Sequence, residues 1–199
     1  MSGLRIASVD SGITPAHPHV GEVTGGASFT GTPDLIDRLG HGTAVAGAIR
    51  QWARDAEFYA VKIFDRRFST TIDTLVRALE WCHENDMDLV NLSLGTANLA
   101  HRERLLPLIG DRPLIFSPAP TLPGSLPGVV AVEADPVCPR DSWRYENGVF
   151  YASPYPRPIP GVPVEHNLQG VSFAVANLTG LAAAAGATSR DGLVAKVLA

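Results

Sequence analysis

The sequence predicts an α/β fold, with a mostly parallel central sheet and helices on both faces. Three observations carry that expectation. Short apolar stretches of strand length alternate with segments of helical periodicity. A strand, helix and strand in that order imply a right-handed parallel crossover. The first apolar stretch ends abruptly in an acid, and open α/β sheets bind ligands beyond the carboxyl ends of their strands. The 199 residues are expected to form one domain, residues 1–199, with a sizeable core.

Composition narrows the function classes. Hydrophobic residues make up 45% and charged residues 18%, which suits a globular chain and not a disordered one. A net charge of −4 gives no basic footprint, so nucleic acid is not expected as a partner. No run approaches the ~20 apolar residues of a membrane span, and no membrane association is expected. Residues 1–9 show neither a long apolar run nor a cleavage-like site, so no signal peptide is expected. Two cysteines, Cys82 and Cys138, make no disulfide framework. A reduced, cytoplasmic protein is the expectation, with a single bridge left open.

Residues 4–9 (LRIASV) read as a central strand that runs into Asp10-Ser11-Gly12. Asp10 and Ser11 suit a turn equally well as a site. Residues 13–39 are rich in loop signals, among them Thr14-Pro15, His17-Pro18 and Gly25-Gly26. His17 and His19 form a His-X-His pair. No cysteine or acidic cluster joins them, so no metal is expected. Residues 40–49 (GHGTAVAGAI) read as a helix of small residues around His41. Glycine in a helix interior costs about 1 kcal/mol relative to alanine, so close packing against a neighbour is expected in return.

Residues 57–64 read as a strand, and residues 71–84 as an amphipathic helix with Ile72, Leu75, Val76 and Leu79 at helical spacing. Asp73 near its start suits the helix dipole. Residues 88–95 (DLVNLSLG) form the next expected strand, and residues 102–108 a short helix. Residues 114–116 and 129–132 read as two further strands, joined by a proline-stiffened loop over residues 118–124. Residues 138–163 read as irregular, with a strand expected at Val149-Phe150-Tyr151. Residues 154–163 are proline-rich and read as a surface loop. Residues 170–187 open with Gly170-Val171-Ser172-Phe173-Ala174 and continue as a buried helix. Taken alone, Ser172 at the first turn reads as a helix cap.

Asp10, His41 and Ser172 change that reading when taken together. Each ends or begins an element. Serine nucleophiles need a hydroxyl, a base within reach and a carboxylate that fixes the base's tautomer. The order Asp, His, Ser is one known solution. The motifs LRIASVDSG at residues 4–12, GHGTAVAGA at 40–48, FYAVKI at 58–63, DLVNLSLG at 88–95 and GVSFA at 170–174 occur in one order along the chain. In this the sequence resembles the subtilisin-like serine peptidases, the subtilases. The resemblance implies a three-layer subtilisin-like fold. It implies Asp10 as the orienting acid, His41 as general base and acid, and Ser172 as nucleophile. It also implies that Ser93, Leu94 and Gly95 form an edge that pairs with an extended peptide or protein substrate.

Departures from the family pattern shape the expectation further. Val171, Phe173 and Ala176 stand where the family has Thr, Met and Pro. No Asn follows the strand at residues 114–116, where the family carries an oxyanion donor. Pro118-Ala119-Pro120-Thr121 stands there instead, and proline has no N–H to offer. Losing one such donor costs about 10²–10³ in turnover, a figure established on subtilisin itself. The backbone N–H of Ser172 and the hydroxyl of Thr121 are the alternative donors. The calcium loop after the His helix is missing, so no calcium and no other cofactor is expected. Asp10 lies close to Met1, and the chain stops soon after the Ser helix, so a minimal form without a prodomain is expected.

These features predict a slow or narrowly specific serine endopeptidase that matures a peptide precursor, such as one carrying a leader peptide. The alternative is a catalytically impaired pseudo-protease that binds peptides. An α/β-hydrolase fits poorly, because Ala174 stands where Gly-X-Ser-X-Gly needs its last glycine and the order of the triad differs. A dinucleotide fold fails for want of Gly-X-Gly-X-X-Gly after the first strand.

Overall fold

The computed structural model describes residues 3–197. Among these residues there are eight strands: β1 (Arg5–Asp10), β2 (Gly25–Ser28), β3 (Glu57–Lys62), β4 (Leu89–Leu92), β5 (Leu114–Pro118), β6 (Val130–Ala134), β7 (Trp143–Glu146) and β8 (Val149–Ala152). They form one sheet in the order β2-β3-β1-β4-β5-β6-β8-β7. Every neighbouring pair is parallel except β7 with β8. Among the described residues, five α-helices accompany the sheet: α1 (His41–Trp52), α2 (Ile72–Glu84), α3 (Arg102–Leu105), α4 (Val171–Ala184) and α5 (Arg190–Val197).

The strand repeat of two sorts side chains between two cores. On one face, α1 and α4 pack over Ile6, Phe58, Leu89, Phe116 and Phe150. On the other, Leu75, Leu79 and Cys82 of α2 pack over Ala7, Val9, Val61 and Val90. This is the expected three-layer α/β arrangement. Phe58, Phe116 and Phe150 are wholly buried, and each contributes about 1.5–3 kcal/mol of hydrophobic stabilisation. Within β1, Ile6 faces the α1 and α4 layer. By the same repeat Asp10, four residues on, faces that layer too.

The small residues of α1 and α4 are explained by contact. A Cβ on Gly180 of α4 would lie 2.6 Å from the Ile49 carbonyl oxygen of α1. The two helices therefore meet backbone to backbone at this point. Polar pins fix α4 in place. Trp52 Nε1 donates to Asn177 Oδ1 at 3.2 Å, and Asn177 Nδ2 donates to the carbonyls of Ser153 and Tyr155. Thr179 Oγ1 donates to Asn91 Oδ1 of β4 at 3.2 Å. Such buried polar groups are costly unless paired, and here they are paired.

Several expectations are corrected. Residues 13–39 contain a strand, β2. Its sequence, Gly-Gly-Ala-Ser, has no apolar pattern, because it is an edge strand held by β3 alone. The stretch read as irregular contains β7 as well as β8. The turn between them is Asn147-Gly148, both at positive φ (51° and 88°), the signature of a tight hairpin. The strand expected over residues 88–95 ends at Leu92. The helix expected over residues 102–108 is α3 between two 3-10 turns, Leu99–His101 and Leu106–Leu108. Helix α2 begins as expected, with Thr71 capping its first turn by accepting from the Thr74 N–H.

Candidate active site

Asp10, His41 and Ser172 come from the end of β1 and the first turns of α1 and α4. All three lie on the same face of the sheet. His41 Nδ1 is 2.8 Å from Asp10 Oδ1 and 3.0 Å from Oδ2. Asp10 is buried, and the His41 side chain retains 24% of its exposure. The carboxylate is thus shielded while the ring's far edge stays open. Helix α1 can approach this closely because Gly42 has no side chain. A Cβ there would stand 2.2 Å from the Gly12 carbonyl oxygen.

Burial of the His41 ring acts to lower its pKa. The hydrogen bond and charge of Asp10, with the charge of Asp37, outweigh burial and raise it above the usual histidine value. Phe68 and Phe173 flank the ring, with centroids at 5.4 and 5.9 Å. Phe173 is buried and Phe68 is exposed. Phe173 therefore forms a wall for the imidazole.

Ser172 is the second residue of α4. The helix is capped by Gly170 without a side-chain bond, so Ser172 is not the cap. Its Oγ donates to the Ser93 carbonyl at 3.2 Å, and Ser93 Oγ donates back to the Ser172 carbonyl at 3.0 Å. The Ser172 hydroxyl is not hydrogen-bonded to His41. Catalytic bonds of this kind are often formed only once a ligand is present.

The three edge residues are placed differently from one another. Ser93 reaches Ser172. The Leu94 carbonyl accepts from Ser117 Oγ at 3.1 Å, and Gly95 lies against Thr121. Neither Leu94 nor Gly95 hydrogen-bonds the side chain of Asp10, His41 or Ser172. Beyond them, Thr96 and Leu122 exchange two backbone bonds. Thr121 Oγ1 donates to the Pro118 carbonyl at 3.2 Å, so its hydroxyl is occupied. The N–H groups of Val171 and Ser172 lie in the first turn of α4, where a helix leaves its N–H groups without intrahelical partners.

Sequence reasoning passed over Asp37. Its carboxylate is buried and accepts five hydrogen bonds: from Ser11 Oγ, the N–H groups of Leu39, Gly40 and Thr43, and Thr43 Oγ1. Its position four residues before His41, in a loop next to a small-residue helix start, was the available signal. Phe68 was also passed over, and an exposed aromatic on a loop carries no such signal. The rings of His17 and His19 meet edge to face at 5.2 Å. Among the described residues, no group of three or more His, Cys, Asp or Glu side chains is placed to hold a metal ion. Cys82 and Cys138 are both buried and free. No helix among the described residues is long and apolar enough to cross a membrane.

Comparison with known proteins agrees with this fold. A solved lanthipeptide protease superposes with a TM-score of 0.73 at 18% identity, over 94% of this chain and 74% of that one. A cold-adapted subtilisin-like serine proteinase gives 0.68 at 19% identity, over 92% and 74%. At that identity the likeness is one of fold. A thermostable alkaline protease of Halalkalibacterium halodurans is 37% identical over 107 residues, 49% of this chain but only 29% of that protein. The chain therefore aligns with under a third of that relative's length. Residues 1–131 match the sequence model of the subtilase family (peptidase S8). That segment contains Asp10 and His41, while Ser172 is joined to them by the fold. On the family match and this shared architecture, the chain belongs to the subtilase family.

Proposed function

We propose that the protein is a serine endopeptidase that cleaves peptide bonds with Ser172 as nucleophile, His41 as general base and acid, and Asp10 as the orienting carboxylate. The observation that carries this reading is the Asp10–His41 pair at 2.8 Å, on the sheet face that also bears Ser172. Asp10 holds Nδ1, so Nε2 is the nitrogen free to take the hydroxyl proton. Oxygen charge in the tetrahedral intermediate would meet the first-turn N–H groups of α4.

Substrate pairing at Ser93 gives the mechanism its order. The Ser93 carbonyl is the hydrogen-bond partner of Ser172 Oγ. An extended peptide that offered its own N–H to that carbonyl would release the hydroxyl to turn toward His41. Phe68, exposed beside His41, offers apolar surface to a neighbouring substrate side chain.

The proline loop in place of an oxyanion Asn supports a slow or narrowly specific enzyme. Maturation of a peptide precursor, such as removal of a leader peptide, fits that behaviour. A solved lanthipeptide protease shares the fold. Rapid, indiscriminate cleavage of a peptide library would rule this specificity out.

A second reading has one observation in its favour: the Ser172 hydroxyl is bonded to Ser93 and not to His41. On that reading the protein binds peptides without cutting them. A fluorophosphonate probe separates the two. An activated Ser172 labels, and labelling falls by about 10⁴-fold or more in Ser172→Ala and His41→Ala. Peptide binding without labelling in the unaltered protein would favour the binding module.

A further inference from the structure

We propose that Asp37 is a positioning residue for His41, a second buried carboxylate that locks the turn carrying the imidazole and sets negative charge behind the Asp10–His41 pair. This rests on the reading of His41 as general base. Asp37 stands four residues before His41 in sequence. Its bonds straddle that residue, with the Leu39 and Gly40 N–H groups on one side and the Thr43 N–H and Oγ1 on the other, at 2.7–2.9 Å. The backbone of His41 is therefore fixed from both directions by one side chain.

Asp37 is also joined to Asp10. Ser11 Oγ sits between the two carboxylates, 2.8 Å from Asp37 Oδ1 and 3.2 Å from Asp10 Oδ1. It has one proton, and the shorter contact assigns that proton to Asp37. The same oxygen accepts from the Gly42 N–H at 2.9 Å. The link to Asp10 is the Ser11 N–H, which donates to Asp10 Oδ1 at 2.8 Å. Ser11 thus bonds Asp10 through its N–H and Asp37 through its hydroxyl, and Asp37 in turn bonds both sides of His41.

Asp37 remains charged in this setting. Burial acts to raise its pKa, but the Thr43 hydroxyl and N–H, the Leu39 N–H and Ser11 hold it below the usual carboxylate range. The charged groups that bear on His41 are Asp10 from β1 and Asp37 from the loop before α1. Phe68 and Phe173, which complete its surroundings, carry no charge. Asp37 is not in contact with the imidazole and is not itself a catalytic residue.

A purely structural cap needs acceptor oxygens and no charge, and this distinction makes the idea testable. In Asp37→Asn and Asp37→Ser, the pH dependence of fluorophosphonate labelling should keep its shape while its acid midpoint falls by about half a unit or more, the size of one nearby charge removed. The His41 imidazole, titrated by NMR in the same variants, should fall by the same amount. Folding is checked by circular dichroism. A folded variant whose midpoint and imidazole titration match the parent would overturn the proposal, even if its labelling rate were lower. Loss of fold in both variants would assign Asp37 to folding alone and also overturn it. If the unaltered protein does not label while the imidazole shift is seen, the peptidase reading fails and the positioning of His41 by Asp37 stands.

Discussion

The hydrogen bonds around His41 tie it to Asp10; those around Ser172 tie it to Ser93 and not to His41. Ser11, Asp37, Gly42 and Thr43 are hydrogen-bonded to one another, Ser11 bonds Asp10, and Asp10 alone bonds the imidazole, all at 2.7–3.0 Å and largely out of water. The Ser172 hydroxyl instead rests on a main-chain carbonyl, and the neighbouring loop over residues 118–124 supplies proline where a donor would serve. Both regions lie on the same face of the same sheet. On the proposed roles, the difference implies that the base is set when the chain folds, whereas the nucleophile is set when a ligand arrives. Preorganisation of that kind is what lets fixed groups act without reorganising during the reaction.

The comparison is broken most forcefully on the base side. Gly42→Ala places a Cβ 2.2 Å from the Gly12 carbonyl oxygen and must push the His41 turn away from Asp10. A displacement of about 1 Å costs on the order of 10²-fold in rate. Labelling rate and His41 titration together check this. A variant with parental values for both would show that the hydrogen-bonded set around His41 is not needed.

A smaller effect follows from the pKa of His41. Because it is raised by Asp10 and Asp37 against the effect of burial, the acid limb of labelling should lie above the ordinary histidine value of about 6.5. The sign for stability runs the same way. Protonated His41 stabilises the fold, fully below about pH 6.5, and that contribution is lost as pH rises through the higher folded value. Thermal unfolding followed across this window measures it. An acid limb below 6.5 would contradict the arrangement around the ring.

The smallest effect is expected on the nucleophile side. Thr121 spends its hydroxyl on the Pro118 carbonyl, so Thr121→Val should leave turnover near the parental rate. A loss approaching ~10²-fold would instead mark Thr121 as an oxyanion donor.

What the sequence reveals follows the same division. Asp10 and His41 stand in motifs whose small neighbours are forced by close approach, and Gly42 is legible for that reason. Ser172 is legible through its order after the other two and its place at a helix start. Asp37 is not, because three of its five donors are backbone N–H groups, which every residue but proline carries. The sheet is legible where strands are buried on both faces, as in β1, β3 and β4. It is not at its edges: β2 has no apolar pattern, and β7 alternates half-buried with exposed side chains. The β7–β8 hairpin was nevertheless written in Asn147-Gly148, a turn signal stronger than the strand patterns beside it.

The contrast between a fixed base and a waiting nucleophile is tested most directly by a structure with an extended peptide bound against Ser93. The expected result is a peptide N–H on the Ser93 carbonyl, Ser172 Oγ turned to within hydrogen-bond reach of His41 Nε2, and the Asp10–His41 contact still at 2.8 Å. A bound peptide that leaves Ser172 on the Ser93 carbonyl, or that moves His41 away from Asp10, would contradict it.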